Sequence, residues 1–256
     1  MKRGVCAIAI VTVVLLGVTM VRAQQEITLI APNIVDEPIQ ELAKAFEAKT
    51  GIKVKATIGA VVASKDRVVH GEPFDVPIVE VPYDAEVIAS GNVAPNTATA
   101  LCNIALGVAV KKGAPKPDIS TPEAVKRAFI AAKSIAHVNP SPTGAASGIA
   151  ATEAIQKLGI AEQIKSKITM GNGGARTMAL VANGQAEIGM TLLPGMTDPG
   201  IDIVGPLPRE VSPPIAVIGF ASTHAKDPAA ARQLLTFLAS PEAAAIYKAH
   251  MMQPGR

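Results

Sequence analysis

The sequence predicts an α/β protein folded as two units. Short β-branched, apolar runs alternate with segments of helical period, the order that builds a sheet covered by helices. Helix starts are marked by a capping residue followed by proline at Thr121-Pro122, Asp227-Pro228 and Ser240-Pro241. Two places read as crossings between the units: Asn103-Ile104 and the proline-rich stretch 206–214.

Along the chain, Ile27 to Ala31 reads as a strand. A helix then opens at Asp36 or Glu37, buries Leu42, Ala45 and Phe46 on one face, and stops at Gly51. Ile52, Val54, Ala56 and Ile58 alternate with Lys53, Lys55 and Thr57, so this segment is a half-buried strand. Val61 to His70 predicts a helix and Phe74 to Val81 a third strand. Ala105 to Val110 is the next strand. A helix follows from Pro122, then a short strand from Ser134 to Val138 and a helix from about Ala146 to Leu158. Lys167 to Met170 is a strand, Ala175 to Ala182 a helix and Ala186 to Leu192 a strand. Ile201 to Val204 and Ile215 to Phe220 are strands, and two helices run to about Leu238 and His250. No internal repeat is visible.

The N-terminus reads separately. Lys2 and Arg3 precede an apolar run from Val5 to Met20, and Val21-Arg22-Ala23 places small residues where a signal peptidase needs them. Residues 1–23 are therefore expected to be a cleaved signal peptide. The run is short for a membrane span, which needs about 20 apolar residues. Cys6 lies too early to be a lipid-attachment site. Cleavage removes Lys2, Arg3 and Arg22 but no acid, leaving 21 basic and 21 acidic residues of the original 24 and 21. A neutral chain without a basic cluster excludes a nucleic-acid binder. Cys102 alone remains, so neither an internal disulfide nor a cysteine-based zinc site is possible. His70, His137, His224 and His250 are far apart and show no metal-ligand spacing, so no metal or cofactor is expected. With five Phe, two Tyr and no Trp, the chain lacks material for aromatic platforms or cages around sugars or quaternary amines.

The order of "ITLIAP", "TGIKVKATIGA", "GEPFDV", "ATEAIQKLGI", "ALVANGQAEIGM" and "AARQLLTFLASPEAAAIYK" resembles the periplasmic solute-binding proteins of ABC importers, in their molybdate-binding-like branch. The resemblance covers nearly the whole chain after the signal. It implies a class II two-lobed periplasmic binding protein, each lobe a mostly parallel sheet flanked by helices, with the ligand in the cleft between them. Lobe one would comprise residues 24–104 and 207–256, and lobe two residues 105–206. It implies a monomeric periplasmic protein that passes a small anion to a membrane permease and performs no chemistry. A sensor subunit docking on a membrane receptor is the alternative. The branch holds oxyanions with hydroxyls and backbone N–H groups. Here Ile34 stands at the serine position of the first loop, valine at that of the second, and Leu192 at the position of the cleft tyrosine.

The residues that could hold a ligand cluster in loops before helices. Ser141, Thr143 and Ser147 lead into one helix, whose N-terminus would attract an anion. Gly171-Asn172-Gly173-Gly174-Ala175-Arg176 permits close backbone approach. Arg176 sits where the helix dipole disfavours a cation, which points to an oxyanion or carboxylate opposite it. The candidate contacts are Asn33, Ser64, Ser141, Thr143, Ser147, Asn172, Gly173, Arg176 and Thr191. A hydrolase centred on Ser147 lacks a base and an orienting partner. Asp75 and Glu80 should face opposite ways on one strand, so they do not form an acid–base pair. The family places Glu80 at a strand end facing the cleft, as a ligand or hinge contact or a solvated side chain.

Overall fold

The computed structural model describes residues 25–140 and 146–255. The expected signal peptide, Ser141 and Thr143 lie outside these residues. The elements run β1 (Glu26–Pro32), α1 (Asp36–Thr50), β2 (Lys53–Gly59), α2 (Val61–Val69), β3 (Val76–Glu80), α3 (Asp84–Ala89) and β4 (Thr99–Ile104). The chain continues through β5 (Leu106–Lys111), α4 (Pro122–Ala131), β6 (Ile135–Val138), α5 (Ala146–Lys157), α6 (Ala161–Ile164), β7 (Ile168–Gly171), α7 (Gly174–Ala182), β8 (Ile188–Leu192) and β9 (Ile201–Pro206). It closes with β10 (Ile215–Gly219), α8 (Pro228–Leu238), α9 (Pro241–Ala249) and β11 (Gln253–Pro254).

The strands form two sheets. One has the order β11-β4-β10-β3-β1-β2 and the other β7-β6-β8-β5-β9. Both are mixed. The strand–helix–strand order gives parallel pairs where it operates, between β1 and β2 or β3 and between β6 and β7 or β8. The strand that follows each crossing runs the other way: β10 is antiparallel to β3 and β4, and β5 to β8 and β9. Each crossing reverses the chain's direction relative to the sheet it enters, so "mostly parallel" describes only the βαβ part of each lobe.

Local chemistry explains the helix ends. The Thr121 hydroxyl accepts from the Ala124 N–H at 3.2 Å, Asp227 from Ala229 and Ala230 at 2.9 Å, and Ser240 from Ala243 at 3.2 Å. The first sheet packs Ile27, Leu29 and Val76 against Leu42 and Phe46 of α1, Leu234 of α8 and Tyr247 of α9. Around the second sheet, Leu106, Ile135 and Ile188 pack with Phe129 of α4 and Ile155 of α5. Asp75, just before β3, is buried and fully engaged. It accepts from the Thr28 N–H and hydroxyl and from the Lys226 N–H, each at 2.7 Å. Four elements have no counterpart in the pattern reading: α3, β4, α6 and β11. The helices α3 and α6 have only six and four residues, and β11 only two. β4 carries Ala, Cys and Asn and is defined by its neighbours rather than by its composition.

Candidate ligand-binding cleft

The C-terminal ends of β1, β3, β6 and β8 open on one cavity of about 610 Å³, where ligands of open α/β sheets bind. Asn33 and Ile34 follow β1, Glu80 ends β3, Val138 ends β6, and Thr191 and Leu192 end β8. Four helices begin at the same cavity: α1 with Asp36 and Glu37, α2 with Val61, α5 with Ala146 and Ser147, and α7 with Gly174 and Ala175. Two glycines make this arrangement possible. A Cβ on Gly148 would stand 2.6 Å from the Val138 carbonyl, so only glycine lets α5 dock on the end of β6 and bring Ser147 to the wall. Gly173 has φ +92° and turns the chain into α7, a conformation that side chains rarely adopt.

These helix ends differ in charge. α1 carries Asp36 and Glu37 in its first turn, which offset its own dipole. His250, after α9, stands with Nδ1 3.3 Å from Glu37 and Nε2 3.2 Å from Glu41. Neither α5 nor α7 has an acid in its first turn, and the residue preceding α7 contributes no side-chain cap. First-turn N–H groups have no partner within a helix, so this wall presents donors and partial positive charge to the cavity.

Glu80 is the exception among the cavity residues. It is buried, neither carboxylate oxygen has a hydrogen-bond partner, and burial pushes its pKa up to about 7. Of the two carboxylates weighed on this strand, neither is solvated: Asp75 is satisfied by three donors and Glu80 by none.

Of the candidate contacts, the structure brings Asn33, Ser147, Gly173 and Thr191 to the cavity wall. Asn172 and Arg176 flank Gly173 and Ala175, are exposed and are not among the lining residues. Ser64 is buried beneath the second loop, where its hydroxyl donates to the Ala31 carbonyl at 3.4 Å. Ile34 and Leu192, two of the positions that depart from the branch, line the cavity, as does Val61 of the second loop. The wall is therefore apolar where an oxyanion site would carry hydroxyls. Sequence reasoning missed His250, Met251 and Met252, which reach the cavity from the far end of the chain. Among the described residues, no group of three or more His, Cys, Asp or Glu could hold a metal ion.

Two α/β lobes facing each other across a cleft at their strand ends define a two-lobed ligand-binding protein. The chain belongs to the bacterial extracellular solute-binding protein family, whose model matches residues 27–253. It is 30% identical over 225 residues to a Pseudomonas protein named aconitate isomerase, covering 85% of this chain and 84% of that protein. It is also 30% identical over 219 residues to the molybdate-binding protein ModA of Azotobacter vinelandii, covering 83% and 84% of the two chains. The fold is similar to that of the substrate-binding domain of a putative molybdenum ABC transporter from Clostridium difficile. That match has a TM-score of 0.79 at 16% identity, covering 90% of this chain and 98% of that one.

Proposed function

We propose that the protein captures a small polycarboxylate in its cleft and presents it, from the periplasm and as a monomer, to the permease of an ABC importer. The observation that carries this reading is the convergence of the α5 and α7 N-termini, free of acids, on a cavity lined by Ile34, Val61 and Leu192. Donors on one wall suit anionic groups, and apolar side chains on the other suit a carbon skeleton. A bare tetrahedral oxyanion would leave the apolar wall without a partner. The relatives support an anion: one is named for molybdate and the other for aconitate, a tricarboxylate. In this reading Asn33, Ser147, Thr191 and the Gly173 backbone contact the ligand, with Asn172 and Arg176 bordering them. Closing of residues 105–206 on the remainder traps it. Delivery requires no covalent step.

The test is calorimetry and thermal melting with trans-aconitate, citrate, molybdate, sulfate and a neutral sugar. A polycarboxylate at 100 times its Kd should add about 2.7 kcal/mol of stability, read as a higher melting temperature. Binding of molybdate alone would return the site to the oxyanion class, and binding of the sugar alone would refute an anion site. A second reading, isomerisation of the ligand within the cleft, is favoured by the relative named aconitate isomerase. Conversion of trans- to cis-aconitate by the purified protein would establish it.

A further inference from the structure

We propose that Glu80 is an acid–base group that moves a proton between two carbons of a bound unsaturated polycarboxylate, shifting its double bond by one position. The inference rests on the polycarboxylate reading of the cleft and goes beyond capture.

The contrast with Asp75 motivates it. Both carboxylates belong to the same short stretch of chain and both are buried. Asp75 is tied to three donors on β1 and before α8, the arrangement of a structural carboxylate. Glu80, five residues on and at the cleft end of β3, is tied to none. Hydrogen bonds to a carboxylate lower its basicity, so one with both oxygens free keeps it. Burial alone raises its pKa to about 7, where a base is half ionised at neutral pH and best matched to general acid–base work. The cavity it lines also holds the apolar Ile34, Leu192 and Met252, which suit a ligand's carbon skeleton. Its oxygens are screened from bulk water. Seating of the ligand and lobe closure must shift these neighbours to bring a C–H bond to them.

The ionisable groups around Glu80 leave it unpaired. β10 contributes none, and β1 only Glu26 at the end remote from Glu80. Cys102 of β4 and Tyr83 are close enough for the Glu80 charge to raise their own pKa values. Lys65 of α2 and Glu86 of α3 pair with each other beside Tyr83. Asp36, Glu37 and His250 line the same cavity, and none of them hydrogen-bonds to Glu80.

The step balances without a co-reactant. The Glu80 carboxylate takes a proton from a carbon that is both allylic and α to a carboxylate. The C–H electron pair spreads over the three-carbon unit and the adjacent carboxylate as a dienolate. The N-terminal turns of α5 and α7 would stabilise its charge. Glu80 then delivers a proton to the far carbon of the unit, or back to the first, while the double bond settles between the other two. A proton lost to solvent while Glu80 holds it is replaced by one from solvent, so the balance is unchanged and label can enter. Nothing is oxidised or reduced, and no group leaves.

The experiment incubates the full protein with trans-aconitate in D2O and follows deuterium entry into the methylene by proton NMR, with binding measured separately by calorimetry. Wild type should exchange the methylene and accumulate cis-aconitate, with a rate that rises as pH passes through about 7. Glu80→Gln should still bind measurably, while exchange falls about a hundredfold to ten-thousandfold. Binding without exchange in wild type would overturn the inference and leave the capture role standing. Exchange that persists in Glu80→Gln would overturn the assignment to this residue. Absence of binding by trans-aconitate, citrate or any other polycarboxylate would overturn both readings.

Discussion

Placing an acid in the first turn of α7 should make the protein more stable and a worse anion binder at once. Ala175 is the residue to change: it is exposed, lines the cavity, and lies in a first turn with no acid and no side-chain cap. Ala175→Asp requires no repacking. In the ligand-free protein the new carboxylate meets the positive end of the helix, worth about 0.3–1 kcal/mol. For a chain of this size that is a rise of roughly 1–4 °C in melting temperature. With an anion seated at the same turn, two like charges about 5 Å apart repel by about 3 kcal/mol at an effective dielectric of 20. Screening in the open cleft reduces that, so the affinity for trans-aconitate should fall about tenfold to a hundredfold. Differential scanning fluorimetry without ligand gives the first quantity and calorimetry the second. An unchanged affinity alongside a raised melting temperature would remove α7 from the anion site. A lowered melting temperature would show that this helix end is already compensated.

Three further outcomes follow from residues buried in the first lobe. Asp75→Asn weakens three bonds to a buried carboxylate and should cost about 2–3 kcal/mol in urea unfolding at neutral pH. Cys102 is buried against Met252, with burial pushing its pKa up to about 12, so a thiol reagent at pH 8 should label it only after unfolding. Glu80 has a folded pKa near 7 against an unfolded value near 4.5, so the native state is the stronger proton binder. Its contribution to stability is therefore complete below about pH 4.5 and lost as pH rises through 7. Glu80→Gln, measured by urea unfolding, should match wild type near pH 4.5 and exceed it at pH 8 by up to about 3 kcal/mol.

The elements with strong local signals were legible in the sequence. Thr121-Pro122, Asp227-Pro228 and Ser240-Pro241 each begin a helix because the cap and the proline act within one turn, with no help from tertiary structure. Gly51 ends α1 for the same local reason. β4 was not legible: its identity as a strand lies in its pairing with β10 and β11, more than a hundred residues away. The candidate site divides in the same way. Asn33, Ser147, Gly173 and Thr191 could be found because each ends or follows a strand or opens a helix, where the chain must pass the cleft. His250, Met251 and Met252 could not, since α9 brings them there from the other end of the chain. Glu80 carried a weak signal, a lone acid closing the apolar run Val76 to Val79. Only the structure shows that its carboxylate has no partner.

The position of β10 sets the order in which the molecule can be completed. All strands of the second sheet come from one contiguous stretch, Leu106 to Pro206, and can pair as soon as that stretch is available. The first sheet cannot. β10 lies between β3 and β4, so until residues 215–219 arrive, β4 has no path to β1, β2 and β3. A chain emerging from its N-terminus would hold β4 unpaired while the whole of the second sheet is made, its apolar Leu101, Cys102 and Ile104 uncovered. A fragment ending at Gly205 would carry the second sheet almost whole and leave the first divided into a three-stranded piece and a stray strand. The last fifth of the sequence thus acts as the keystone of the first lobe.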